Sequence, residues 1–198
     1  MNDPISEGKE KMRWEVALPQ PAAIDAAQAD ALPMDAEAFA GFYARSSRPL
    51  WAYLARCAGD RALAEDLMQE SYVRFLASER LAELSREGEV AARRYLYRIA
   101  SNLLRDHWRR PRTEPLEDAP EPQDSTGDAT EAQMRLNAAL AQIKPRDRQL
   151  LWLAYAEGYS HQEIAEVMGM MRASVRVLLY RARHAMARLL DNNDRRQA

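Results

Sequence analysis

Arginine side chains are the groups in this sequence best suited to chemistry, and four of them recur, together with one asparagine, at the spacing of a helix face. The members of this basic stripe fall at i, i+4, i+8, i+11 and i+15, and they are Arg94, Arg98, Asn102, Arg105 and Arg109. Tyr97 and Trp108 lie at its border. Guanidinium groups neutralise phosphates, aromatic rings stack on unpaired bases, and an asparagine amide reads a base edge. The stripe therefore predicts contact with nucleic acid, although a solubilising face with core aromatics explains this helix equally well.

A second arginine-rich region follows a predicted helix-turn-helix near the C-terminus. Ser160 and Glu163 form a capping box that starts one helix, and Gly169 supplies the left-handed residue of the turn. Ile164 and Val175 are expected to pack the two helices together. The second helix would present to a major groove Met171, Arg172, Ala173, Arg176, Val177, Tyr180 and Arg183. A helical hairpin with a basic rim is the alternative interpretation.

The helix that is predicted to follow Asp60, its N-cap, carries an acidic face. Small and apolar residues from Ala64 to Leu76 recur at helical spacing and predict the buried side. The opposite side carries Glu65, Asp66, Gln69, Glu70 and Arg74. Taken alone, such a charged face is either solvated or a docking surface for a basic partner.

No residue pattern in the sequence indicates catalysis, a metal or a cofactor. His107, His161, His184 and the single Cys57 are too scattered for a zinc site, and one cysteine excludes an internal disulfide. The seven glycines occur singly, so there is no phosphate-binding glycine loop, and no nucleophile lies at a known spacing from a base. We therefore expect no enzymatic activity, no metal and no cofactor.

The sequence also lacks a membrane-spanning or secretory pattern. Its longest apolar run, from Leu150 to Ala156, is far shorter than the roughly 20 residues that span a bilayer. The N-terminus mixes acids with bases and has no apolar core of a signal peptide. We expect a cytoplasmic protein without membrane insertion.

The formal net charge of -2 over 198 residues hides strong segregation of charge along the chain. Residues 93–112 hold seven arginines and one acid, and residues 172–188 hold five arginines and no acid. Between these basic regions lies a proline-containing stretch whose charged residues are all acids: Glu114, Glu117, Asp118, Glu121, Asp124, Asp128 and Glu131. The pattern predicts two basic modules joined by a solvated tether.

Helical periodicity extends over every part expected to be ordered, and no stretch alternates in the manner of a strand. The predicted fold class is all-α, with two small helical domains joined by a flexible acidic linker. We place a disordered extension at 1–33, the first domain at 34–112, the linker at 113–130, the helix-turn-helix domain at 131–191 and a disordered tail at 192–198.

The two modules, in this order, resemble the extracytoplasmic-function (ECF) subgroup of bacterial RNA polymerase sigma factors over roughly residues 35–190. The segment 60–72, DRALAEDLMQESY, is similar to the segment of that family that binds core polymerase. The resemblance implies that the acidic face docks on the clamp helices of the β′ subunit. The residues implied in this contact are Asp60, Glu65, Asp66, Leu67, Gln69 and Glu70.

The segment 96–110, LYRIASNLLRDHWRR, is similar to the family's helix that melts and reads the -10 promoter element. The residues implied in that contact are Arg94, Tyr97, Arg98, Asn102, Arg105, Trp108 and Arg109. The preceding segment, residues 81–92, would supply the loop that captures a flipped base.

The segment 159–169, YSHQEIAEVMG, together with Ser174 to Arg183, is similar to the sigma domain that reads the -35 element. The residues implied in that contact are Met171, Arg172, Ser174, Arg176, Tyr180, Arg181 and Arg183. Met171 stands where the family often has proline, and Val177 and Leu178 stand where it usually has a Ser-Arg pair. One usual DNA-contacting arginine is therefore missing.

The resemblance implies a dissociable specificity subunit rather than an enzyme. Its implied partners are core RNA polymerase, through the β′ clamp helices and the β flap, promoter DNA and an anti-sigma protein. The alternative is a stand-alone helix-turn-helix regulator of transcription. That alternative explains the C-terminal half equally well, but it leaves the basic stripe and the acidic face without a role.

Overall fold

The structure, a computed structural model, describes residues 34–109 and 131–197. The predictions of a disordered extension at 1–33 and of an acidic linker at 113–130 lie outside the described residues. Over the described ranges every regular element is an α-helix, which confirms the all-α prediction. In chain order these are α1 (Ala36–Ala58), α2 (Arg61–Leu76), α3 (Leu81–Glu87), α4 (Glu89–Arg109), α5 (Glu131–Gln142), α6 (Pro145–Tyr155), α7 (His161–Met168) and α8 (Arg172–Gln197).

The first domain consists of α1 to α4. Helix α1 ends at Gly59, whose φ of 75° permits the left-handed cap that a Cβ would strain. As predicted, the Asp60 side chain caps α2 by accepting a hydrogen bond from the Leu63 amide at 3.2 Å. The rings of Phe42 and Phe75 stack with centroids 5.2 Å apart and join α1 to α2. These local signals and apolar contacts place the acidic side of α2 outward.

The segment at 81–92 differs from the predicted base-capturing loop. Leu81 and Leu84 are buried and anchor the short helix α3, so most of the segment is helical. Only Gly88, with a φ of 94°, interrupts the helical conformation between α3 and α4. The expected loop conformation was wrong, because two apolar residues at i and i+3 are enough to hold one helical turn against a neighbouring core. The capture of a base by this segment stays a prediction.

The second domain consists of α5 to α8. Pro145 occupies the first turn of α6, where its missing N–H has no helical partner, as predicted. Helix α8 continues to Gln197, whereas the sequence predicted a disordered tail from residue 192. No glycine or proline follows Gly169, so nothing in the backbone stops a helix that has already been nucleated.

The two domains pack against each other, with α4 lying on α7 and α1 lying on α6. Their buried residues form one continuous hydrophobic cluster. Within the part of the chain that the structure describes, no helix is long and apolar enough to span a membrane. The packing brings the basic stripe of α4 beside the helix-turn-helix.

Candidate nucleic-acid and polymerase interfaces

The helix-turn-helix is formed by α7 and α8, and its local signals were predicted correctly. The Ser160 hydroxyl accepts a hydrogen bond from the Glu163 amide at 3.3 Å, and the Glu163 carboxylate accepts one from the Ser160 amide at 2.9 Å. These bonds form the capping box, and the hydrogen bonds that the Ser160 amide and hydroxyl donate to the Glu163 carboxylate lower its pKa. Gly169 closes α7 in the left-handed conformation, and Ile164 and Val175 are fully buried between the helices. The turn therefore has the cap, the glycine and the buried contacts that the sequence predicted.

We expect Ser160→Ala to lower the free energy of unfolding by about 1 kcal/mol, because the first turn of α7 loses its cap. Chemical denaturation followed by circular dichroism measures the change. Ser85→Ala is the control, because the Ser85 hydroxyl only donates to the Leu81 carbonyl within its own helix. Equal effects of the two substitutions would contradict a stabilising role of the cap.

The first half of α8 presents an exposed basic face. The exposed residues of the predicted -35 set are Met171, Arg172, Arg176, Tyr180, Arg181 and Arg183, while Ser174 is half-buried. Met171 and Tyr180 are 75% and 61% exposed and add apolar surface to this face. The face combines phosphate-binding cations with apolar and hydroxyl groups able to contact base edges.

The basic stripe of α4 is only partly open. Arg98, Asn102 and Arg109 are exposed, whereas Arg94 and Arg105 are half-buried because they turn toward α7. Trp108, at the border of the stripe, is also half-buried and packs against the core. The structure therefore keeps most of the predicted -10 residues on one side of α4, but part of that side faces the second domain.

Tyr97 differs from the prediction that it borders a DNA-facing surface. Its side chain is fully buried, and burial raises the pKa of its hydroxyl well above the usual value. The ring packs against Tyr53 and Tyr159, at centroid distances of 5.2 and 5.8 Å, with the Arg93 guanidinium 5.7 Å from its centre. In this arrangement Tyr97 has no free face on which a base could stack.

The acidic face of α2 lies on the surface away from the hydrophobic core. Asp66 and Gln69 are exposed, and Glu65 and Glu70 are half-buried. The Glu70 carboxylate accepts a hydrogen bond from Arg74 at 2.6 Å across one helical turn. The remaining acids of the face are free to meet an external cation. Leu67, which was predicted to contact the polymerase, is instead a buried core residue, whereas Asp60 is half-buried and caps α2 as the sequence predicted.

The described ranges contain no group of three or more histidine, cysteine or acidic side chains positioned to hold a metal ion. Cys57 is buried, and burial raises the pKa of its thiol. His161 is exposed in the first turn of α7. The described residues instead form basic faces on α4 and α8 and an acidic face on α2, and such charged surfaces suit binding to macromolecules.

Comparison with known proteins assigns both domains. The chain matches the Sigma-70 region 2 family over residues 42–113 and the Sigma-70, region 4 family over residues 133–186. It is also 31% identical over 171 residues to the ECF RNA polymerase sigma factor BldN of Streptomyces coelicolor. The chain carries regions 2 and 4 of the Sigma-70 family and is similar to ECF sigma factors. The resemblance predicted from the sequence is confirmed, and region 2 in the N-terminal half disfavours a stand-alone regulator.

Other ECF sigma factors match over similar lengths. The match to BldN covers 81% of this chain but 63% of BldN, so the chain spans less than two thirds of that relative. The ECF sigma factor SigL of Mycobacterium tuberculosis is 29% identical over 152 residues, covering 73% of this chain and 84% of SigL. Both domains of the chain therefore have counterparts within single relatives.

A solved structure shares the helical fold. The sigma factor RpoE of Bartonella quintana, in complex with the anti-sigma factor NepR, superposes with a TM-score of 0.61 at 18% identity. The match covers 77% of this chain and 96% of that chain. The prediction of two helical domains is thereby confirmed.

Sequence reasoning missed the residues that join the two domains of this chain. The principal ones are Arg93, Arg148, Gln149 and Glu157. In the sequence, Glu157 is one acid among many beside a turn glycine, and its partner lies 64 positions away. No periodicity within a single helix encodes such a pair.

Proposed function

We propose that this chain is a dissociable subunit that binds core RNA polymerase and directs it to promoters, reading a -35 and a -10 element. The observation that carries the proposal is the presence of sigma regions 2 and 4 in one chain, each with an exposed charged surface. The chain supplies specificity, while bond formation remains with the polymerase. It acts in the cytoplasm, where it has access to the chromosome.

The acidic face of α2 is the proposed contact with the β′ clamp helices. Its exposed members, Asp66 and Gln69, offer a carboxylate and an amide on successive turns of a helix that Asp60 caps and Phe75 anchors. Charge complementarity with a basic partner would raise the association rate and fix the register. The half-buried Glu65 and Glu70 extend the same face.

The two basic surfaces are suited to different promoter elements. Exposed Arg98 and Asn102 on α4 are suited to a melted -10 strand, where a cation follows the phosphates and an amide reads an unpaired base. Arg172 and Arg176 on α8 are suited to the major groove of a duplex -35 element, since a recognition helix meets bases through its N-terminal residues. Val177, half-exposed beside them, contributes apolar contact in place of a hydrogen bond.

An anti-sigma protein is a further proposed partner. It is supported by the fold shared with RpoE, which was solved bound to the anti-sigma factor NepR. The exposed apolar side chains of α8, Met171, Val177 and Tyr180, offer surface that such a partner would cover.

Competition for core polymerase tests the proposed function. The chain is mixed with core RNA polymerase, separated by gel filtration, and challenged with an excess of the primary sigma factor of the same bacterium. We expect co-elution with core and displacement by the competitor, because both would use the β′ clamp helices. Failure to co-elute, or simultaneous binding of both proteins, would overturn the proposal.

A further inference from the structure

Helix α8 presents one line of side chains directly away from its own domain. The buried side of the helix carries three apolar residues at i, i+4 and i+7, each at most 6% exposed: Val175, Leu179 and Ala182. Moving two residues back along the chain turns an α-helix by about 200°, so the positions opposite them have the same spacing. These opposite positions are all exposed, and they form the outer line of α8: Ala173, Val177 and Tyr180.

The outer line is apolar, whereas the helix surface on either side of it is cationic. Val177 and Tyr180 are 50% and 61% exposed, and the Tyr180 hydroxyl is the one hydrogen-bonding side-chain group on the line. The Tyr180 ring meets the His184 ring edge-on, with centroids 4.3 Å apart. Arg176 lies about 70° around the helix to one side of the line, and Arg181 lies about 70° to the other. The exposed face therefore has an apolar centre and two cationic edges.

The two residues at which this chain departs from the ECF pattern both reduce the polar character of α8. Leu178 stands where the family usually has an arginine, and it is half-buried and packs against the hydrophobic core. Val177 stands where the family usually has a serine, and its side chain has no polar atom. At these two positions the helix thus offers DNA neither a cation nor a hydrogen bond.

The position of the outer line determines which part of a duplex it would meet. A helix in the major groove brings its outermost side chains to the base edges and its flanks to the phosphates. The base edges there present hydrogen-bond donors, hydrogen-bond acceptors and the C5-methyl group of thymine. An aliphatic side chain gains contact from the methyl group, whereas a polar base edge facing it would lose its hydration without a partner. An apolar outer line therefore favours thymine.

We propose that Val177, with Tyr180 beside it, selects A·T base pairs in the duplex element that α8 reads, by contact with the C5-methyl groups of thymine. The identity of that element as the -35 element rests on the proposed function, whereas the geometry rests on the helix-turn-helix alone. Arg176 and Arg181 contact the phosphates, which contribute affinity but carry no sequence information directly. Val177 is thus a specificity-determining residue.

Removal of single methyl groups from the DNA tests the proposal. Randomised duplexes are selected for binding to the complex of the chain with core polymerase, and the upstream shared element is read by sequencing. Each thymine of this element is then replaced in turn by deoxyuridine, which lacks the C5-methyl group but keeps every hydrogen-bonding group. Titrations compare the unsubstituted protein, Val177→Ala and Val73→Ala. Val73 is the matched control, because it is an exposed valine on α2 in the other domain.

We expect at least one replacement to weaken binding of the unsubstituted protein about fourfold, the factor for losing one buried methyl-sized group. In Val177→Ala the same replacement should change binding by less than about twofold, because both changes remove one shared contact. Val73→Ala should keep the fourfold ratio, since comparing two duplexes with one protein cancels any effect on polymerase binding. The ratio should not depend on salt concentration, because no phosphate contact is altered.

Three results would overturn the proposal. One is a selected upstream element that contains only G·C pairs, and another is equal binding of the thymine and deoxyuridine duplexes by the unsubstituted protein. The third is a deoxyuridine effect that persists in full in Val177→Ala, since another residue would then read the methyl group. Val177 is exposed and alanine favours helix, so this variant should fold, which circular dichroism verifies. The comparison on the unsubstituted protein needs no variant.

Failure of the proposed function would give a different result. If the chain does not bind core polymerase, the selection and the titrations are carried out with the free chain, because a stand-alone regulator would use the same helix-turn-helix. A methyl effect in that complex would support the inference and contradict the proposed function. Binding to core polymerase without a methyl effect would contradict the inference alone, and a chain that binds neither polymerase nor duplex DNA would contradict both.

Discussion

Asp66→Arg is expected to abolish co-elution of the protein with core RNA polymerase while leaving its helical content unchanged. Asp66 is exposed on α2, so the new side chain requires no repacking of the domain. At the proposed interface it replaces an attractive charge with a repulsive one. Truncating one partner of a close interfacial charge pair typically costs several kcal/mol, so a reversal should weaken binding by on the order of 100-fold or more.

The control for this prediction is Glu37→Arg, the same change of charge at an exposed position in the first turn of α1. Gel filtration with core, followed by a titration, measures both variants, and circular dichroism verifies that they fold. Co-elution of Asp66→Arg at the level of Glu37→Arg would show that the acidic face of α2 does not dock on the polymerase.

Arg176→Ala is expected to weaken promoter binding by the holoenzyme and to flatten its dependence on salt. Each phosphate contact that is lost removes about 0.9 from the slope of log affinity against log salt concentration, because one condensed counterion is no longer released. Arg176 is exposed in the first half of α8, where a recognition helix lies closest to the groove.

Arg188→Ala is the matched control on the same helix. Arg188 lies about 18 Å further along the helix axis, and its guanidinium donates to the His184 carbonyl within α8. We expect its salt slope to equal that of the unsubstituted protein. Equal slopes for all three proteins would place Arg176 in solvent and would require another residue of α8 to anchor the promoter.

Local signals in the sequence predicted the parts of both domains that depend on neighbouring residues. The Asp60 cap and the Ser160 capping box each satisfy backbone N–H groups within three positions, so residue type and spacing are sufficient to find them. The left-handed Gly169 belongs to the same class. For that reason the helix-turn-helix could be located without a structure.

Contacts between distant segments could not be predicted in this way. Tyr97 lies at the edge of the basic stripe on a helical projection, yet Tyr53 and Tyr159 approach it from other helices and bury it. Leu67 is a similar case. Its apolar character correctly indicates burial, whereas its place in the motif suggested a contact with the polymerase. Burial depends on the partner elements, which periodicity within one helix does not specify.

The packing of the two domains adds to the interpretation of the segregated charge along the sequence. Basic α4 meets Glu157, Glu163 and Glu166 of the second domain, so the acids of that domain serve as internal partners of the arginines of α4.

The central claim is that this chain gives core polymerase its promoter specificity, and mapping of transcription start sites tests it most directly. Purified bacterial core polymerase transcribes a library of genomic fragments with and without the protein, and the 5′ ends of the RNAs are sequenced. The account predicts discrete new starts, each preceded by a shared pair of sequence elements, and their loss with Asp66→Arg. An absence of new starts, together with tight binding of the free protein to duplex DNA, would contradict it and indicate a stand-alone regulator.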